Sequence, residues 1–209
     1  MVFIALGLAV ASMRDAQLWI PENGFTALNP ALSGERRGAN STRTAHPGML
    51  DELTDVLARM GLHVDVRNPF DQMTKGEVFA AVRAKLGDGP AEKLLNDTNS
   101  CAKPSRDAGF SPDAHCGVCL GCLVRRAAFI AGGVTDRTLY KESAMSGNER
   151  STWLSPARRE TYEALQYRVR SGFDIDDILD LGLPDRWEPD EALAVAERGL
   201  AELAAVKIA

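Results

Sequence analysis

The chain has 209 residues, 45% hydrophobic and 25% charged, with a net charge of −5. This is globular composition, with room for one good core or a core plus a small appendage. It supplies no overall basic field for nucleic acid, and no apolar run is long enough to span a membrane.

Residues 2–13 (VFIALGLAVASM) are apolar throughout and predict a buried helix. No positive region precedes them, so a signal peptide is the weaker reading. The helix reads as core of a larger domain, with Met1 then an artificial or misassigned start, and its apolar surface would need a further segment to cover it. Gln17 to Pro21 (QLWIP) predicts a short strand stopped by proline. Glu22 to Gly48 is a long polar loop, anchored by Phe25, Leu28 and Leu32, and such loops are usually functional or disordered. Here its chemically diverse polar residues favour function.

Met49 to Met60 is amphipathic at helical period, with Leu50, Leu53, Val56, Leu57 and Met60 on one face and Gly61 as the stop. His63 to Val66 predicts a second strand, broken by Asn68-Pro69-Phe70. Thr74 caps a helix through about Leu86, with Glu77 at the capping-box position. Strand, helix, strand is a βαβ alternation, which puts the loops after both strands on one edge of a parallel sheet, where ligands bind. Downstream, Glu142 to Ser155 is loop-like, and helices are expected over 156–171, 173–181 and 190–206.

The four cysteines are Cys101, Cys116, Cys119 and Cys122, a lone thiol followed by C-x2-C-x2-C. The short turn aims sulfurs at a common point, and Cys122 enters the first turn of a helix, where thiolate is favoured over thiol. One tetrahedral Zn²⁺ suits the set, and four protein ligands leave no open position for catalysis, so the ion is structural. Iron–sulfur ligation uses related spacings and stays open, whereas disulfides are disfavoured by close packing of three thiols. Arg125 and Arg126 are placed to neutralise a doubly negative centre. His115 is a fifth donor that four thiolates do not need. A metal set with no surplus thiols fits a reducing, cytoplasmic location.

Three segments carry a resemblance in this order: PENGFTALNPALSGERRGANSTRTAHP, NPFDQMTKGEV, and TNSC followed by HCGVCLGCLVRRAAF. Together, over about residues 1–140, they resemble the C-terminal half of 7-cyano-7-deazaguanine synthases, members of the PP-loop ATP pyrophosphatase superfamily. The remainder resembles the looser synthase-like branch that includes components of anti-phage systems such as Qat. The resemblance implies an α/β fold: a partial Rossmann-like (adenine nucleotide alpha-hydrolase-like) parallel sheet with a four-cysteine zinc module and a helical C-terminal tail. It divides the chain into the C-terminal half of a PP-loop domain (1–100), the zinc module (101–140) and the helical extension (141–209).

The implied reaction activates a 7-carboxy-7-deazaguanine carboxylate with ATP and Mg²⁺. Ammonia displaces AMP to give an amide, and a second ATP drives elimination to the nitrile. The implied partners are a purine-like substrate and ammonia, with a homodimer or a defence complex as further options; direct nucleic-acid binding is not expected. Lys75 and Arg43 are the catalytic candidates, as cations facing phosphate or carboxylate. Lys75 also sits at a helix start, where anions are favoured. Glu22, Asn23, Asn29, Thr42, Thr44 and His46 are the substrate-binding candidates. His46 can move protons near neutral pH or merely cap the helix after Pro47. Arg36 and Arg37 are ligand-facing or a solvated pair.

One element of the family pattern does not occur: the phosphate-binding S-G-G-x-D-S after a first strand. Ala131 to Asp136 (AGGVTD) follows a helix and reads as its stop. The chain is then either a fragment that begins after the ATP half or a degenerate relative, and is not expected to adenylate alone.

Overall fold

The computed structural model describes residues 2–14, 16–32, 43–101, 114–141 and 156–206. In chain order the elements are α1 (Val2–Arg14), β1 (Leu18–Trp19), α2 (Gly24–Leu28), α3 (Pro47–Arg59), β2 (Val66–Arg67) and α4 (Lys75–Leu86). There follow α5 (Asp88–Asn96), α6 (Leu120–Ala131), α7 (Pro156–Ser171), α8 (Ile175–Leu179) and α9 (Pro189–Ala204). The described chain is mostly helical. Two compact units form, one from Met1–Met73 with Phe173–Ala196 and one from Thr74–Gly172 with Glu197–Ala209. Among the described residues no helix is long and apolar enough to cross a membrane.

The first unit is built on a parallel pair. Leu18 aligns with Val66 and Trp19 with Arg67. The amide of Leu18 donates to Asp65 O and that of Ile20 to Arg67 O, both at 2.8 Å. Parallel strands need a crossover, and α3 supplies it. Its Leu50 and Leu57 join Ala11, Val64 and Val66 in a buried cluster edged by Leu8, Leu18, Ile20 and Leu53. Val56 and Met60, expected on the same face, are exposed instead, because the cluster meets only the edge of that face that carries Leu50 and Leu57. Pairing also starts later than expected, so His63 lies before β2.

The expected buried helix at the N-terminus forms as α1, but within this chain it buries only Ile4 and Ala11. Phe3 is 88% and Met13 83% exposed. A helix apolar on every side needs neighbours on every side, and here one stripe is covered, with Gly7 tight against Leu18.

In the second unit α4 packs against α5 and α6. Thr74 and Glu77 form the expected capping box at the start of α4. Gly87, at φ +80°, ends α4 and starts α5 in one residue, a conformation glycine reaches without a Cβ penalty. Phe79 meets Phe129 edge-on at 5.0 Å, beside Leu95 and Ala128. Gly132 ends α6, and Gly133 follows at φ +63°, so the AGGVTD string is the helix stop its sequence suggests.

Candidate functional site

The four cysteine sulfurs all lie within 4.8 Å of one another. The three elements that bring them there are the segment after α5, the turn at 116–119, and the first turn of α6. Cys116 and Cys122 Sγ are 3.8 Å apart. A tetrahedral ion with about 2.3 Å metal–sulfur bonds sets sulfur–sulfur edges of about 3.8 Å, so the donor set fits a divalent metal. The amides of Cys116 and Cys119 point at Cys101 Sγ and Cys116 Sγ, each at 3.4 Å, and stabilise negative sulfur. The Cys116 thiol is held far below its ordinary value, first by hydrogen bonds from Cys119 and Cys122, then by the amides of Val118 and Cys119. The same shared bonds, with burial, push Cys122 the opposite way. A cation that takes all four as thiolates removes that conflict.

The shell differs from expectation at Arg125. This side chain is fully buried, but its donors go to α5 and the segment after α6. Nε donates to Thr138 Oγ1 at 2.9 Å, Nη1 to Thr98 Oγ1 at 2.7 Å, and Nη2 to the carbonyls of Leu95 (3.1 Å) and Asn96 (3.3 Å). Its charge sits at the negative end of a helix, closing orphan carbonyls. Arg126 instead lies 4.0 Å over the ring of Tyr140, which packs against the sulfurs. His115 is outside the sulfur cluster and pairs with the Tyr140 strand segment through Leu139 O and Lys141 N.

Lys75 belongs to this second unit. Its Nζ donates to Ser100 Oγ at 3.3 Å, one residue from Cys101. Gly121, between two cysteines, is pressed to the Ser100 carbonyl, where a Cβ would lie 2.1 Å from that oxygen. The helix start beside Lys75 already holds an anion, the carboxylate of Glu202. Thr74 Oγ1 donates to one of its oxygens, and the Gly76 amide to the other at 3.1 Å. Burial pushes the Glu202 carboxyl up. Nothing in the sequence pattern marks this contact.

The remaining candidates lie in the first unit, on the loops after β1 and β2. These loops are cross-linked: Glu22 N donates to Asn68 Oδ1 at 3.2 Å, and Asn68 Nδ2 to Glu22 O at 2.7 Å. Gly24 N donates to Met73 O at 2.6 Å. Glu22 Oε1 accepts from the amide and side chain of Asn23. Asn23 caps α2 through Thr26 N, and Asn29 closes α2 in the left-handed region at φ 46°. Phe25, Leu28 and Leu32 are buried, as anchors should be. Arg43 Nη1 donates to Leu181 O at 2.9 Å, and Thr44 is exposed in the turn before α3. His46 is buried and caps α3 by accepting from Gly48 N at 3.2 Å. Burial first, and Arg43 second, lower it to about 4, so at pH 7 it is a neutral ring whose Nε2 carries the hydrogen. Thr42, Ser41, Arg36 and Arg37 fall outside the described residues.

The sequence pattern marks the loop after β2 only as a strand breaker. It does not reveal that Asn68 is buried and bonded to both loops; an asparagine before proline at a strand end is the signal for such a turn. Nor does it reveal an open cleft of about 560 Å³ beside β2, lined by Leu50, Asp51, Val66, Asn68, Asp71 and Arg186 among others.

Residues 47–133 match the family model described as queuosine biosynthesis protein QueC. The 7-cyano-7-deazaguanine synthases of Cupriavidus taiwanensis and Cupriavidus necator are each 33% identical over 110 residues, covering 51% of this chain and 44% of the relative. That of Cupriavidus pinatubonensis is 31% identical over 109 residues, covering 51% and 43%. The chain thus spans less than half the length of the curated relatives it matches. No solved structure matches it. Lys75 and all four cysteines fall within the matched segment, and over residues 47–133 the chain is similar to the QueC family.

Proposed function

We propose that this chain is a 7-cyano-7-deazaguanine synthase-type component. It would supply ring-binding loops, the cations Arg43 and Lys75, and a structural zinc clip for ATP-dependent conversion of a 7-carboxy-7-deazaguanine-type carboxylate to amide and nitrile. The observation that carries this reading is the placement of Lys75 and Cys101, Cys116, Cys119 and Cys122 inside the QueC-matched segment. The interlocked loops after β1 and β2 support it, since they stand at the carboxyl ends of parallel strands. Arg43 offers a fork of donors to a carboxylate or phosphate, Glu22 and Asn29 polar edges to a ring, and His46 an N–H rather than a shuttled proton. Bound Zn²⁺ would hold the backbone at Ser100 and, through it, the ammonium of Lys75. The phosphate cradle for ATP and Mg²⁺ would come from outside residues 1–209, as no S-G-G-x-D-S occurs within them.

Turnover tests the proposal. The protein as its genome encodes it, given ATP, Mg²⁺, ammonium and 7-carboxy-7-deazaguanine, is expected to release AMP and form the amide, then the nitrile. Residues 1–209 alone are expected to release none. Arg43→Ala and Lys75→Ala should lower turnover at a nearly unchanged thermal midpoint. The genome-encoded protein, metal-loaded, releasing no AMP overturns the proposal. It would favour the second reading, a non-catalytic or differently targeted component of an anti-phage complex, to which the helices α7 to α9 beyond the QueC match lend support.

A further inference from the structure

The cleft beside β2 contains a group that shows what it can hold. Arg186 Nε reaches Asp51 Oδ1 at 3.3 Å and Oδ2 at 3.2 Å, and its Nη1 reaches Asp71 Oδ2 at 3.2 Å. A guanidinium is a flat plate that only donates, and two carboxylates receive it along adjacent edges. The contacts are long for charge-assisted bonds, which close to about 2.7–2.9 Å when tight. The Arg186 side chain is also 48% exposed, so it can leave without unpacking a core. The carboxylates are better anchored. Asp71 sits on the loop clamped by Gly24 N to Met73 O and by Phe70 N to Asn68 Oδ1. Asp51 rides on α3, one residue after the buried Leu50. Leu50 and Val66 give the cleft an apolar wall, and about 560 Å³ lies within the range of small-ligand sites. Asp51 and Asp71 belong to the QueC-matched segment, and Arg186 lies beyond it.

Resting on the reading above, we propose that this cleft is the ring-recognition subsite. Asp51 and Asp71 accept the adjacent ring N–H and amino N–H donors of a 2-aminopyrimidinone ring, and Arg186 is the internal plate that such a ring displaces. Adenine places an acceptor beside its amino group and cannot satisfy both carboxylates, so the subsite selects against it.

The test is calorimetric binding of 7-deazaguanine, with 7-deazaadenine as the control. 7-Deazaguanine is expected to bind, and 7-deazaadenine at least tenfold more weakly. Asp51→Asn and Asp71→Asn should each weaken 7-deazaguanine at least tenfold, since a carboxamide loses the negative charge and keeps only one acceptor oxygen. Arg186→Ala should tighten it several-fold by removing the competitor, a gain that misfolding cannot imitate. Equal binding of the two rings, no binding of either, or unchanged affinity in both Asn variants overturns the proposal. The two readings separate cleanly. Turnover with unchanged binding in the Asn variants sinks the subsite alone, and selective binding without AMP release sinks the reaction alone.

Discussion

The clamp between the loops after β1 and β2 can be broken at one atom. A Cβ added at Gly24 would lie 2.1 Å from the Asp71 carbonyl oxygen, 2.8 Å from its carbon and 2.9 Å from Val195 Cγ1. The first two are backbone and cannot swing away, so Gly24→Ala must push the loops about 1 Å apart to restore contact distance. That displacement breaks the 2.6 Å bond from Gly24 N to Met73 O and strains the reciprocal pair between Glu22 and Asn68. Two or three such bonds at about 0.5–1.5 kcal/mol each, with overpacking of about 1–3 kcal/mol, give a loss of about 2–7 kcal/mol. At about 2–4 °C per kcal/mol for a chain of this size, the thermal midpoint should fall by about 4–28 °C. Gly89 is the control. It lies in α5, and a Cβ added there would have nothing within 4 Å, so Gly89→Ala should gain about 0.5–1 kcal/mol by restricting the unfolded chain. Far-UV circular dichroism melts of both variants decide the matter. A Gly24→Ala midpoint within about 1 °C of the parent would refute the clamp, being far short of the shift expected from such losses. A fall in both variants would show that losing any glycine hurts, whatever the contact.

Purified protein should be colourless with close to one Zn²⁺ per chain, and Cys119→Ser should lower both metal content and midpoint, because structural zinc contributes folding free energy; visible iron–sulfur absorption would sink the zinc assignment. His46 should make stability pH-dependent: its folded value of about 4 lies below the unfolded 6.5, so the contribution is full above 6.5 and is lost as pH falls toward 4. His46→Asn retains a capping side chain and should flatten that slope in urea titrations between pH 4 and 6.5; an unaltered slope would place its origin elsewhere. Arg125→Lys should cost about 2–4 kcal/mol in the same titrations, since a single ammonium cannot span four acceptors on α5, Thr98 and Thr138. Wild-type stability there would show that the fork is dispensable.

Local chemistry is legible in the sequence, and long-range chemistry is not. The Thr74–Glu77 box, the Gly61 and Gly133 stops, the α3 periodicity and the strand at β1 all follow from neighbours within a turn or a short strand. The metal set is legible because three ligands lie within seven residues and only one thiol remains. α5 escapes notice since its start, Asp-Gly-Pro, looks like a loop; proline in a first turn is compatible with a helix. α2 is hidden in a polar segment whose Asn23 cap looks like a ligand donor. Glu202 at the start of α4, Asn68 on Glu22 and Arg186 between two aspartates join residues 46 to 135 positions apart, which no local period encodes. Arg125 departs from its expected role for a related reason. Its place beside Cys122 suggests the metal, whereas its length carries the charge to the end of α5.

The contact from Lys75 to Ser100, with Gly121 wedged behind that serine, has a practical consequence for anyone measuring this protein. Under the role proposed for Lys75, its seating would follow the occupancy of the cluster. A batch that lost half its metal during purification would then be two populations, only one with a correctly seated ammonium. In the proposed reaction such a batch would show half the maximal rate at an unchanged half-saturation point and would pass for a mild active-site variant. Metal stoichiometry on the same aliquot is therefore the proper denominator for any rate assigned to the chain.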